Sequence, residues 1–380
     1  MRILHAIPSL EFKYGGPSQS AASLMNGLAE LACVPASIRL LCKSDAHEVA
    51  VSSKITRQDI DFLYERYWVP SVKEVKTIRR SVSDADIIHV HSYWNIFASL
   101  VVHEALAADR PVVLSPRGVL HWKAIAYRSR YLKKLFAGIF VNRQLGHVTA
   151  YHFQSDEEAA NSVTGRRNDP APRIVADNGV GIPSLKTSAH AAREQTVGTV
   201  SGDFHLLFFG RLNRIKGIGL QIDALRRLRA SGIDAKLHLV GPDDGVLEGL
   251  KALADQLGIT SHLHVHGAVF GQSKYLWLRG ADVVLMSSEF ENNSNAALEV
   301  MAAGGVLVAT KASVSISAED LGAALRVDAS VEALEAGIRR VIYNKELATS
   351  LRSQAMKYVR NYHDWSSRAG RIYSFYESLL

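Results

Sequence analysis

The sequence predicts an α/β fold built as two domains of parallel strands covered by helices. Three observations predict it. Strand and helix signals alternate through the first half of the chain, the alternation restarts near residue 204, and a polar stretch separates the two series. The length agrees, because 380 residues exceed one typical hydrophobic core.

In the first half, residues 2–7, 37–42, 85–91 and 111–115 read as strands and residues 19–31 as a helix. The stretches 154–157 and 178–183 look like the last strand ends of a domain spanning 1–183. Residues 184–203 are polar, short of large apolar side chains, and read as an interdomain linker. The second domain, 204–363, begins with a strand at 205–209, a loop at 210–217 and a helix at 218–230. Strands follow at 236–240, 263–266 and 281–286. Residues 295–303 are rich in helix formers, and Ser294 is placed to cap that helix.

Composition narrows the class. Apolar residues make up 47% and charged residues 21%, the balance of a globular and not a disordered chain. Two cysteines, Cys33 and Cys42, argue against a disulfide framework and for a reducing compartment. No apolar run approaches the roughly 20 residues of a membrane span, and the first residues run straight into a strand, so a cytoplasmic protein is expected. The net charge of +7 is compatible with nucleic acid, a membrane surface or an acidic ligand. Between Arg110 and Ser155 there is no Asp or Glu, while Arg117, Lys123, Arg128, Arg130, Lys133, Lys134 and Arg143 fall inside. Aromatic and aliphatic residues are interleaved with them, so 122–145 reads either as a basic amphipathic helix on an anionic membrane or as a core-facing helix with a basic solvent face.

Ligands of parallel α/β sheets sit at the carboxyl ends of the strands. There the first domain carries Gly15-Gly16, where backbone can approach a ligand, then His89-Val-His91, then Arg117-Gly118 as a fixed cation. His89 and His91 are expected to alternate so that only one faces a cleft; this argues against a zinc pair and leaves His91 as the candidate imidazole. In the second domain Arg211 and Lys216 stand five apart in a glycine-bounded loop and can converge on a diphosphate. Neither G-x-x-x-x-G-K-[ST] nor G-x-G-x-x-G is present. Glu291 lies in the loop before the 295–303 helix and Glu299 on its second turn, with backbones at most about 12 Å apart. Carboxylates so placed can hold opposite ends of a hydroxyl-bearing ligand whose anionic middle rests on the helix N-terminus. A nucleotide-sugar has that layout.

The order Gly15-Gly16, His89-Val-His91, Asn178-Gly179, Gly210-Arg-Leu to Lys216-Gly217, Gly241, Gly267 and Glu291-x7-Glu299 resembles the retaining GT-B glycosyltransferases of family four along essentially the whole chain. The tail, from Tyr362-His-Asp-Trp to Tyr376, is similar to that family's final helix, which crosses back to the first domain. The resemblance implies two Rossmann-like domains facing a cleft, with 364–380 returning to the N-terminal one. It implies catalytic roles for Arg211, Lys216 and Glu291, and donor contacts from Gly15, Gly16, Gly241, Gly267, Val269, Asn293, Ser294, Asn295 and Glu299. It puts His91 and Arg117 on the acceptor or sugar side. The activity implied is transfer of a hexose, with retention and without metal or other cofactor, from a nucleoside-diphosphate sugar to a saccharide or lipid-linked acceptor. Surface polysaccharide or glycolipid assembly on the inner face of the plasma membrane suits such a reaction, with 122–145 against the lipid and no nucleic acid partner. Two departures stand out: Asn293-Ser294 replaces the family's Phe-Gly, and Arg117-Gly118 replaces a frequent His-Gly. A nucleotide-sugar epimerase on the same fold, and a non-catalytic basic binder of membrane or nucleic acid, are the competing readings.

Overall fold

The computed structural model describes residues 1–14, 16–31, 37–122, 142–164, 171–183, 187–197, 203–289, 291 and 294–380. The chain forms two compact units, one of Met1–Gly179 with Trp365–Leu380 and one of Val180–Asp364.

In the first unit, β1 (Arg2–Ser9), β2 (Ser37–Lys43) and β3 (Thr56–Asp59) run to one side of the sheet. A small hairpin of β4 (Phe62–Tyr64) and β5 (Val69–Pro70) intervenes. Then β6 (Ile87–His91), β7 (Val112–Ser115), β8 (Ala150–Phe153) and β9 (Arg173–Val175) extend the sheet on the other side. The resulting order is β3-β2-β1-β6-β7-β8-β9, with every neighbouring pair parallel. All five residues of β6 are buried, as expected of a central strand covered on both faces. The direction of chain progression reverses between β1 and β6, so their carboxyl ends flank this unit's switch point.

Four helices are relevant here: α1 (Gly16–Glu30), α2 (Val72–Ser83), α3 (Ile96–Ala107) and α4 (Asp156–Asn161). Small polar side chains start three of them. Ser71, Asn95 and Ser155 each accept a hydrogen bond from the amide three residues on.

The second unit begins with α5 (Ala189–Thr196) and continues through β10 (Phe204–Phe209), α6 (Ile218–Ala230), β11 (Ala235–Val240) and β12 (Leu263–Gly267). After α7 (Gly271–Gly280) come β13 (Val283–Met286), α8 (Asn295–Ala303), β14 (Leu307–Thr310) and β15 (Leu325–Val327). The unit closes with α9 (Val331–Tyr343) and α10 (Lys345–Tyr362). Its parallel sheet has the order β12-β11-β10-β13-β14-β15, and the switch point lies between β10 and β13.

One expectation changes here. Residues 189–196, read as linker, form a helix capped by Ser188 and packed on α7. At Gly280 an added Cβ would lie 2.8 Å from the Arg193 nitrogen, so the close approach of the two helices excludes any side chain at that point. The composition is polar, but the backbone at Ala192 and Arg193 lies directly against Gly280, and Ala192 is buried there. The basic stretch at 122–145 falls largely outside the described residues; Trp122 is exposed and donates to Asn161 Oδ1 at 3.1 Å. Among the described residues no helix is long and apolar enough to cross a membrane.

The last helix, α11 (Trp365–Glu377), belongs to the first unit. Ala369, Ile372 and Tyr376 enter its hydrophobic core beside Ile3, Leu24, Met25 and Leu28. An added Cβ on Gly27 of α1 would come within 3.1 Å of Ala369 Cβ and of the Trp365 carbonyl, so Gly27 lets the two helices meet backbone to backbone.

Candidate functional site

In the second unit, three loops converge at the carboxyl ends of β11, β10 and β13. The loop at 210–217 is tied to the strand end after β11 by the Leu212–Asp243 bridge and by the Asp244 amide, which donates to the Leu212 carbonyl at 2.9 Å. It is tied to the stretch after β13 by the Glu289 amide, which donates to the Ile215 carbonyl at 2.9 Å. Two glycines allow this closeness. A Cβ at Gly241 would sit 1.8 Å from the Gly210 carbonyl oxygen; at Gly217, which has φ +62°, it would sit 2.2 Å from that of Ser287. The Ser287 hydroxyl lies 3.0 and 2.9 Å from the carbonyls of Lys216 and Gly217 and accepts from Gln221 Nε2 at 2.8 Å.

This stitching delivers Lys216 onto Glu291. The ammonium donates to Glu291 Oε1, which also accepts from Ser288 Oγ at 2.8 Å. Both side chains of the ion pair are mostly covered. Arg211, from the same loop, is exposed and makes no ion pair with a described residue. The residues sequence reasoning grouped here are therefore only partly in contact: Lys216 meets Glu291, Gly241 meets Gly210, and the Gly241 amide donates to the Gly267 carbonyl at 2.7 Å.

The 295–303 helix forms with the expected bounds. Ser294 caps it, accepting from the Ala297 amide at 3.4 Å, and no acidic residue occupies its first turn. Its amino end therefore keeps donors and a positive dipole for an anion. Glu299, on the second turn, is largely buried and accepts from Lys274 Nζ of α7 at 2.7 Å. Val269 lines a cavity of about 710 Å³ together with Phe270, Ser273, Trp277, Gln195 and Thr196. Gly15 and Asn293 lie outside the described residues.

At the first unit's switch point the histidine expectation is corrected. His89 and His91 do not alternate: residues two apart on a strand share a face, and both are fully buried with ring centroids 4.2 Å apart. Arg117 is a buried cation held in place by hydrogen bonds. It is 7% exposed, adopts φ +55°, and donates to His91 Nδ1 at 2.9 Å and to Ser20 Oγ of α1. Ser20 in turn donates to the Gly16 carbonyl at 2.8 Å, which links Arg117 to the start of α1.

Hydrogen bonding assigns the tautomers. A guanidinium only donates, so His91 Nδ1 accepts; its Nε2–H then donates to His5 Nδ1 at 2.9 Å, and the proton on His5 Nε2 is left without a partner. In a second chain His152 Nε2 donates to the Ala176 carbonyl at 3.0 Å, His89 Nε2 donates to His152 Nδ1 at 3.4 Å, and Tyr376 Oη of α11 donates to His89 Nδ1 at 2.5 Å. Burial, reinforced by Arg117 and the neighbouring rings, lowers the His5 pKa to about 3 and that of His152 to about 4, and holds His89 and His91 well below the usual value. Burial also lowers Arg117, to about 10. Nitrogens of His5, His89 and His91 lie within 4.8 Å of one another, a spacing a metal ion accepts. The donor set does not fit one: every Nδ1 lone pair is committed, every Nε2 carries a proton, and a guanidinium adjoins the group.

Lys274, Ser288, His5 and Tyr376 were not singled out from sequence. Lys274, His5 and Tyr376 act on partners distant in the chain, whereas Ser288 acts on Glu291 three residues on in the same loop.

Residues 192–358 match the family model described as glycosyl transferases group 1, a span that carries the converging loops, Glu291 and Glu299. Over this stretch the chain is similar to the glycosyl transferases group 1. A D-inositol 3-phosphate glycosyltransferase from Arthrobacter sp. (strain FB24) is 33% identical over 157 residues, 40% of this chain and 37% of that protein. One from Pseudarthrobacter chlorophenolicus is 27% identical over 246 residues, 63% of this chain and 58% of that protein. The chain thus spans less than two thirds of the length of these relatives. Among solved structures, HepE from Anabaena in complex with UDP-glucose superposes with a TM-score of 0.75 at 19% identity over 100% of both chains. Sucrose-phosphate synthase from Thermosynechococcus elongatus gives 0.74 at 16% identity over 100% of this chain and 99% of that one. Likeness at such identity carries the fold, which is the GT-B fold that the motif order implied. Within the group 1 domain, Lys216 and Glu291 occupy the two loops at the switch point, and Glu299 follows on α8.

Proposed function

We propose that the protein is a glycosyltransferase that moves a hexose from a nucleoside-diphosphate sugar to a saccharide or lipid-linked saccharide acceptor. The observation that carries this reading is the Lys216–Glu291 pair at the switch point of the group 1 domain, in the loop that leads to the acid-free amino end of α8. In this reading Glu299 binds the ribose hydroxyls, the helix amides with Arg211 and Lys216 bind the diphosphate, and Glu291 binds the transferred sugar. The cavity lined by Val269 takes the base, with Phe270 and Trp277 as apolar walls and Gln195, Thr196 and Ser273 as polar readers.

The chemistry asks little of the protein beyond charge and position. The acceptor hydroxyl attacks the anomeric carbon from the face the diphosphate leaves, the bond from that carbon to the phosphate oxygen breaks, and the departing phosphate takes the acceptor proton. Configuration is retained. Negative charge grows on the phosphate, and fixed cations lower that barrier most when they are already in place. Lys216 has three N–H donors, one of them held by Glu291, which leaves two for phosphate oxygens. No step needs a metal ion.

The first unit supplies the acceptor side, with His91 and Arg117 at its switch point. A cytoplasmic enzyme peripheral to the plasma membrane, working in polysaccharide or glycolipid assembly, suits a lipid-linked acceptor. UDP-glucose, the ligand in the HepE complex, is the first donor to test. A melting screen against UDP, GDP, ADP and dTDP tests the reading: one of them should raise the melting temperature in wild type and not in Glu299→Ala. A ligand at a hundred times its Kd stabilises by about 2.7 kcal/mol, which such a screen resolves. No shift with any of the four would overturn the proposal.

A further inference from the structure

We propose that Lys274 is the specificity-determining partner of Glu299, and that the two together select a donor whose sugar carries a vicinal diol. The inference rests on the reading of Glu299 as the ribose contact and extends it to a residue from another helix.

The geometry is that of an acceptor set beside a donor. Lys274 on α7 reaches Glu299 on α8 at 2.7 Å, and their side chains are only 13% and 12% exposed. Among the described residues this is the only hydrogen bond to the Glu299 carboxylate, so Oε2 remains without a partner. The ammonium is covered in the same way: its other neighbour is the Tyr275 ring, with Nζ 4.8 Å from the centroid. Two charges taken this far out of water gain from their mutual attraction only when their remaining hydrogen-bonding positions are also filled. A vicinal diol fills them. One hydroxyl donates to Oε2 while the neighbouring oxygen accepts from an N–H of the ammonium that Oε1 does not hold. Lys274 also fixes which carboxylate oxygen is left over, because it holds Oε1. Without it the carboxylate is free to rotate about its last bond, and a single hydroxyl binds almost as well as two.

The test is the preference for ribose over 2′-deoxyribose in the full-length protein, measured by calorimetry with UDP and dUDP, GDP and dGDP, and ADP and dADP. Wild type should prefer one ribonucleotide over its deoxy partner by about tenfold or more. Lys274→Met should reduce that ratio to within about threefold of unity and leave the deoxynucleotide affinity within about threefold of wild type. Lys274→Arg should restore most of the preference. If Lys274→Met does not fold, Lys274→Gln is measured in the same way. Loss of ribo and deoxy affinity in equal proportion, or a wild-type ratio in the folded variant, overturns the proposal. Glu299→Gln separates the two levels. If it abolishes the preference while Lys274→Met keeps it, the ribose role of Glu299 stands and that of Lys274 falls. If Glu299→Gln also keeps the preference, both fall.

Discussion

The ammonium of Lys216 rests on the carboxylate of Glu291, joining a loop that follows β10 to one that follows β13 across 75 residues of sequence. The pair sits beside the switch point of the group 1 domain, so each residue is both the other's support and a candidate contact for substrate. The variants should separate these uses. Lys216→Ala should weaken nucleoside diphosphate binding and lower kcat for sugar transfer by about 10²-fold or more, the loss typical of one donor to a developing oxyanion. Glu291→Ala should leave diphosphate binding within about threefold and lower transfer comparably. Equal loss of diphosphate affinity in both variants would count against a sugar contact for Glu291.

Gly241 offers a test of the loop packing itself. Gly241→Ala drives a methyl group into the Gly210 carbonyl, a contact of 1.8 Å before any shift. Overpacking of this kind costs about 1–3 kcal/mol, so the urea midpoint should fall with an unchanged slope. Gly249→Ala, where an added Cβ meets nothing within 4 Å, serves as the control and should not destabilise.

The buried imidazoles make stability depend on pH in a definite direction. His5 and His152 have pKa values lowered to about 3 and about 4 by burial, against about 6.5 in an unfolded chain. The unfolded state therefore binds more protons than the folded state in this range. Their contribution is fully present above pH 6.5 and is lost as pH falls from there towards 4. Calorimetric melting in a pH series should show a falling melting temperature and proton uptake on unfolding below pH 6.5. A flat melting temperature between pH 7 and pH 5 would contradict the assigned neutral tautomers.

Tyr376→Phe removes the hydroxyl that satisfies His89 Nδ1 and leaves that buried nitrogen without a donor. The expected cost is about 1–3 kcal/mol. Because Tyr376 lies on α11, amide exchange should accelerate along Trp365–Glu377 and in α1, against which it packs, before it does so in the second unit. Uniform acceleration over both units would argue that the bond has no local role.

What the sequence makes legible follows from the range of each interaction. The helix Asn295–Ala303 and its Ser294 cap are local, and both were readable to the residue. Gly217 and Gly241 were visible as turn glycines, although the carbonyls they avoid belong to other loops. Lys274 was invisible because its partner is 25 residues away on a neighbouring helix, and only packing brings them together. His89 and His91 were misjudged for a different reason. Strand periodicity places them on one face, and burial turns them into a hydrogen-bonded pair of chains that tie β1, β6 and β8 to Arg117 and Tyr376. The helix at 189–196 was hidden by its composition, since its stability derives from the groove at Gly280.

The return of α11 to the first unit orders events during synthesis. The core around Ile3, Leu24 and Leu28 lacks Ala369, Ile372 and Tyr376 until the ribosome has also made everything from Val180 to Asp364. At about 5–20 residues per second that delay is on the order of ten to forty seconds. Throughout it the nascent chain displays an uncovered apolar groove along α1, a place for a chaperone to hold and for a neighbouring polysome's product to be captured in error.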